Sequence, residues 1–293
     1  LRPAFAYRLR TGRSLGNESA SWRITHSLDN KQIINYNRCI KSINMAMIFK
    51  NKKILPSITT LTPAGWQKKI KEIDKLSIKE VALFLTNVNP TQRKKLYSLL
   101  AKTKLQRIPF VHLRNDSDIK EIEFLIKRYK TKAFNIHSPW HSKYPLLFDL
   151  SKYKNKIYIE NSAILLDLVE LKNFSGLCLD FAHLENERLI DLNIYRHNLG
   201  VVKRVKIGCA HISAISSKPK YSRYHHFRKA HSRRKAHYDW HFFKDLSEFD
   251  YLKKYPSRYF PKIIALDLEN SLKDQLRARE YIIRIMNYKL RSM

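Results

Sequence analysis

The 293-residue chain has no long apolar run, few acids and few cysteines, and each shortage excludes something. No stretch approaches the ~20 apolar residues that cross a bilayer, so no membrane partner is expected. Cys39, Cys178 and Cys209 are odd in number and form no CxxC, which argues against a disulfide framework or a cysteine zinc knuckle and fits a reducing, cytoplasmic setting. No GxGxxG or GxxxxGK[ST] follows an apolar run, which removes the dinucleotide-binding and P-loop classes. Only 25 Asp+Glu stand against 57 Lys+Arg, a formal charge of +32. Such a balance suits an anionic partner, either a small phosphorylated metabolite or DNA, although a solvated basic surface gives the same count.

What is present is a rhythm. Apolar runs of strand length recur at Ile54–Ile58, Val81–Leu85, Ile108–Leu113, Ala133–His137, Ile157–Glu160, Leu177–Phe181, Val205–Ile212 and Ile263–Leu268. Helical patterns fill most gaps. Trp66, Ile70 and Ile73 share one face, Asn89-Pro90 reads as an N-cap with proline at the first helical position, and Ser271 caps a last helix. Alternation of this kind predicts an α/β protein built as a single-domain (β/α)8 TIM barrel. Residues 1–46 differ in character: their first 44 residues hold eight Lys/Arg and two acids, and they read as a poorly ordered leader before a barrel over 47–293. One gap, between the seventh and eighth strands, is long. It predicts a basic βα loop over 213–245, in which Lys218, Lys220, Arg223, Arg228, Lys229, Arg233, Arg234 and Lys235 occur without an acid among them, interleaved with Tyr221, Tyr224 and Phe227.

Polar residues fall at the strand ends. His112 closes the third strand, His137 the fourth, Glu160 the fifth and Asp180 the sixth, with His183 three residues on; His211 closes the seventh, and Asp267 and Glu269 the eighth. Any one histidine read alone is an ordinary core or surface residue. Six consecutive strands ending in potential ligands are harder to explain by packing. Period-two spacing puts Cys178 with Asp180, Cys209 with His211, and Ala265 with Asp267 and Glu269 on one face. A buried cluster of carboxylates and imidazoles is costly unless a cation neutralises it. The mixed donor set suits Zn, Mn or Co.

The segments IYIENS, GLCLDFAH, IGCAHIS and IALDLEN resemble the metal-binding strand ends of the xylose isomerase-like TIM-barrel superfamily, over roughly residues 53–290. By that resemblance, the sugar and sugar-phosphate isomerase/epimerase branch implies one metal on Glu160, Asp180, His211 and either Glu269 or Asp267. The paired carboxylates Glu160 and Glu269 or Asp267 would move a proton, and His183 would stand on the substrate side. This branch is placed first because it is broad and the units here are compact. The endonuclease IV branch is the alternative. It implies up to three ions and adds His112, His137, His183, Asp239 and His241, with the basic loop tracking a DNA backbone. A barrel that keeps the metal without catalysis is the third reading.

Overall fold

The computed structural model describes residues 51–62, 65–141, 145–162, 164–221 and 236–292. The leader at 1–46 lies outside them, as do Arg223, Arg228, Lys229, Arg233, Arg234 and Lys235. The chain runs β1 (Lys53–Leu55), β2 (Ser57–Ile58), α1 (Gly65–Lys75), β3 (Glu80–Phe84), α2 (Pro90–Ala101), β4 (Arg107–His112), α3 (Ile119–Tyr129) and β5 (Ala133–His137). It continues through β6 (Ile157–Glu160), α4 (Leu168–Asn173), β7 (Leu177–Asp180), α5 (Phe181–Ile190), α6 (Leu192–Val202) and β8 (Ile207–Ile212). Then come β9 (Ala214–Tyr221), β10 (Ala236–Trp240), two 3-10 segments, β11 (Ile263–Leu266) and α7 (Leu272–Ser292).

Each of the eight apolar runs of the sequence overlaps a strand, the first of them the two short strands β1 and β2. Nine strands form one sheet in the order β1-β11-β8-β7-β6-β5-β4-β3-β2, and every ladder in it is parallel. Its two ends, β1 and β2, are separated in the chain by Pro56 alone, so the sheet curls back on itself in a barrel-like form. Proline cannot donate to a ladder, which explains the interruption. Among the described residues no helix is long and apolar enough to cross a membrane.

Local chemistry sets the helix starts. Asn89 accepts from the Gln92 amide while the Gln92 side chain accepts from Asn89, a reciprocal cap with Pro90 at the first position. Asp118 caps α3 in the same sense. The outward faces of the strands pack under the helices: Val81, Leu83, Val111, Ile157, Ile159, Leu177 and Leu179 join Trp66, Ile70, Leu96 and Leu125 in the larger core. The alternate residues, among them Ala82, Phe84, Phe110, Tyr158, Cys178, Cys209 and Ala265, form a second core on the inner face. Period-two alternation thus separates two layers, and the inner one leads to the site.

One glycine is required there. Leu177 pairs with Ile207 and Cys178 with Cys209, so Gly208 is the extra residue of a bulge in β8. A Cβ at Gly208 would meet the Tyr158 ring from β6, so the absent side chain lets this ring fill the inner core.

The predicted loop over 213–245 is corrected at both ends. Its flanks are the antiparallel pair β9 and β10, with a register shift between His237 and Asp239. Tyr238 N–H donates to Asn186 Oδ1 on α5, which holds the pair against the sheet's helical layer. Once the backbone groups are paired and the alternate residues His237 and Asp239 buried, the segment is ordered by contacts that a count of charges cannot show. Lys218 is exposed on β9, whereas the Lys220 ammonium stacks 3.6 Å from the centre of the Trp240 ring.

Candidate metal centre

Six strands deliver their C-terminal ends to one place. His112, His137, Glu160 and Asp180 are the last residues of β4, β5, β6 and β7; His211 is one from the end of β8, and Asp267 follows β11 directly. Registers align them: His137 pairs with Glu160 and Asp180 with His211. Phe84 and Phe110 lie beneath, with ring centres 4.9 and 5.2 Å from His211, both edge-on. This apolar floor excludes water and raises the cost of leaving polar atoms above it unsatisfied.

Three groups have ligand atoms within 4.8 Å of one another: His112 with His137 and Glu160, Glu160 with Asp180 and His183, and Asp180 with His211 and Asp267. Glu160 and Asp180 each belong to two. The Glu160 oxygens divide the work: Oε2 lies 3.0 Å from His112 Nε2 and 4.0 Å from His137 Nε2, while Oε1 lies 3.7 Å from His183 Nε2. Asp180 caps α5 through Oδ1, which accepts the His183 amide at 2.8 Å. That cap explains the Asp-x-x-His spacing, because it sets the histidine three residues on above the same pocket. Asp180 Oδ2 lies 3.8 Å from His183 Nε2 and 3.6 Å from His211 Nδ1.

These separations test whether ions fit. Two ligands each about 2.1 Å from a tetrahedral ion stand about 3.4 Å apart, close to the contacts around Glu160 and Asp180. Asp180 Oδ2 and both ring nitrogens of His211 are buried with no hydrogen-bond partner. Each such orphan costs about 1–3 kcal/mol, which a shared cation would remove. All donors are oxygen or imidazole nitrogen, the set favoured by Zn, Mn and Co. The two buried thiols, Cys178 and Cys209, lie two residues back in the inner core.

Electrostatics point the same way. Burial alone would raise the Glu160 carboxyl, yet His211 and His112, with His137, hold it well below the usual range. Burial opposes charge on His183, but Asp180, Asp239 and Glu160 raise its pKa well above normal. Burial likewise opposes charge on His241, and Asp267 lifts it to about 9. The carboxylates draw positive charge onto the imidazoles, and divalent ions would compete with those protons.

Orientation comes from partners outside the three groups. His112 Nδ1–H donates to Leu113 O at 2.9 Å, which leaves Nε2 facing Glu160. Asp239 Oδ2 lies 3.0 Å from His183 Nδ1, and His241 Nδ1 3.1 Å from Asp267 Oδ2. Of the sequence candidates, His112, His137, Glu160, Asp180, His183, His211 and Asp267 therefore fall in the groups, and Asp239 and His241 bind to them. Glu269 does not join. Its carboxylate accepts from Leu61 N–H and from Thr62 Oγ1 at 2.7 Å, so Asp267 is the strand-eight acid of the cluster.

Sequence reading missed several partners. Asn135 Nδ2 donates to Glu160 Oε2 at 2.7 Å; its inward position was legible from the alternation Ala133, Asn135, His137. Asn161 clasps Asp180 with two bonds, donating to its carbonyl and accepting its amide. His237 Nδ1 lies 3.0 Å from Asp239 O; nothing in its spacing marked it.

Lys69 was also unmarked. It is buried on α1, and its ammonium donates to Thr59 Oγ1 at 2.5 Å and to Leu268 O at 2.8 Å, beside Asp267 and Glu269. Burial lowers its pKa from 10.5 to about 8, with Glu269 and Asp267 opposing. Between these values the unfolded chain holds the proton more firmly than the folded one. Stability therefore rises with pH from about 8 to about 10.5, by at most ~1.4 kcal/mol per unit, and below 8 the cost of burying the charge is fully present. Urea titrations from pH 7.5 to 10 are expected to show this rise and to lose it in Lys69→Met. A rise unchanged in the variant would contradict the assignment.

No protein-family model and no curated protein matches the chain.

Proposed function

We propose that the chain is a (β/α)8 barrel of the xylose isomerase-like superfamily, with β1 and β2 as one strand interrupted at Pro56, and that it hydrolyses phosphodiester bonds in DNA with a three-ion centre, as the endonuclease IV branch does. The observation that carries this reading is the chain of three ligand groups sharing Glu160 and Asp180. A one-metal isomerase needs Glu160, Asp180, His211 and Asp267, with His183 on the substrate side, and leaves His112 and His137, which face Glu160, without a task. The geometry therefore favours the nuclease over the isomerase that the compact units first suggest.

In this reading His112, His137 and Glu160 hold one ion, Glu160, Asp180 and His183 a second, and Asp180, His211 and Asp267 a third. Bound divalent ions supply Lewis acidity at a phosphate and neutralise charge on its oxygens. The protein's own share is orientation. Asn135 fixes the Glu160 carboxylate, Asn161 fixes the end of β7, and Asp239 holds the His183 ring through Nδ1. The Phe84 and Phe110 rings keep water from below. The excess of Lys and Arg favours a polyanionic partner.

The test is cleavage of a duplex carrying one tetrahydrofuran abasic site, with metal-loaded and chelator-treated protein. Strand cleavage abolished by chelator and restored by Zn, Mn or Co is expected. Metal-dependent isomerisation of a ketose or sugar phosphate with the duplex left intact would contradict the proposal. Bound metal with neither activity would leave a non-catalytic barrel.

A further inference from the structure

We propose that Trp140 is a stacking platform for an unpaired nucleobase of the bound strand, at the side of the centre formed by His112, His137 and Glu160; this rests on the nuclease reading above. Trp140 stands three residues beyond His137, in the turn that follows β5, and is 51% exposed. A tryptophan placed there adds little to the core, because burial stabilises only the area it removes from water.

Its backbone, by contrast, is pinned. The Glu170 carboxylate is buried on α4 and accepts the Trp140 N–H at 3.1 Å and the Ser138 hydroxyl at 2.7 Å. Ser138 Oγ in turn accepts the His141 amide at 2.9 Å. A buried carboxylate thus spends its hydrogen bonds on holding a turn whose most apolar side chain faces solvent. Such an arrangement presents a ring at little entropic cost on binding.

The same region exposes more apolar surface. Leu147 is 63% and Phe148 48% exposed, and this segment is fastened to the loop after His112 by the Leu147 amide to Asn115 O at 2.9 Å and by Asn115 Nδ2 to Pro145 O at 3.0 Å. Exposed apolar groups that follow the strand ends bearing His112 and His137 mark an interaction surface. Charge selects the occupant: a chain with a formal charge of +32 draws a polyanion, and the polyanion that also offers flat apolar faces is a nucleic acid with unpaired bases.

The experiment measures anisotropy of two fluorescein-labelled, phosphorothioate-linked probes with the metal-loaded protein. One is an oligothymidylate; the other has the same length and charge but tetrahydrofuran in place of every nucleoside. Trp140→Ala should weaken the thymidylate about 5- to 150-fold, the loss of one base stack, leave the base-free probe unchanged, and keep the slope of affinity against salt. Trp140→Phe should retain most of the affinity. Equal losses on both probes, or no loss on thymidylate while the unaltered protein binds it, would overturn the stacking role alone. Failure of the unaltered protein to bind either probe while it still cleaves the abasic duplex would overturn this role alone; failure to bind or cleave that duplex as well would overturn the nuclease reading.

Discussion

Glu160→Gln is expected to lose two of three bound divalent ions and nearly all hydrolytic activity. The carboxylate serves two ligand groups through different oxygens, Oε2 toward His112 and His137 and Oε1 toward His183. An amide of the same shape keeps the packing but offers one neutral oxygen and a donor that faces imidazole nitrogens. Removing a partner that merely orients a ligand costs about 10–100-fold in affinity or activity, and loss of a shared ligand should exceed that. In chelator, the variant loses the carboxylate that pairs with the buried His112 and His211, so its denaturation midpoint is expected to fall, and added zinc should stabilise it far less than it stabilises the unaltered protein. Glu269→Gln is the matched control. Its carboxylate is engaged by Leu61 and Thr62 outside the three groups, so the ion count should not change. Three ions retained by Glu160→Gln, or one lost by Glu269→Gln, would contradict the assignment.

Arg93→Met should destabilise the fold by about 3–5 kcal/mol, the cost of breaking a buried ion pair by removing one partner. Arg93 is 3% exposed on α2. Its Nε donates to Glu121 Oε1 at 2.8 Å, and its Nη1 to Asp116 Oδ1 at 2.9 Å and to Val88 O at 3.2 Å. Tyr97 adds a bond of 2.7 Å to the same Glu121 oxygen. Burial works against the charge, but Glu121 and Asp116 more than offset it and raise the guanidinium pKa. The cation therefore ties the loops after β3 and β4 to α2 and α3, close behind His112. Methionine fills a similar volume, so the loss comes from carboxylates left unpaired. Arg93→Met/Glu121→Gln should recover part of it, because removing both partners costs less than removing one. Urea midpoints would show this. A loss below ~1 kcal/mol, or no recovery in the double variant, would contradict the account.

Strand positions were legible because each inner strand is apolar on both faces and short, bounded by capping signals such as Asn89-Pro90. The candidate ligands were legible for a related reason: a polar residue that ends an apolar run is conspicuous. Choosing between Asp267 and Glu269 was not, since both keep the same parity; only the contacts of Glu269 with Leu61 and Thr62 separate them. The places of Asp239 and His241 were hidden because β9 and β10 pair across 14 intervening residues, 222–235. No local pattern encodes that pairing. The segment's charge made it read as a loop, whereas Asp239, which is buried, and His241, which is part-buried, reach the site. Asn161 and Lys69 were unmarked for a further reason. Their roles lie in what they hold, and amides or a lone lysine at such positions carry no spacing signature.

On the proposed reading this cluster holds three ions. Elemental analysis of protein purified without chelator, normalised to chain concentration, measures it directly. About three divalent ions per chain is the expected result, falling to about one in Glu160→Gln. A single ion per chain in the unaltered protein, unaffected by loss of His112 or His137, would contradict the shared-carboxylate centre and return the site to the one-metal set of Glu160, Asp180, His211 and Asp267.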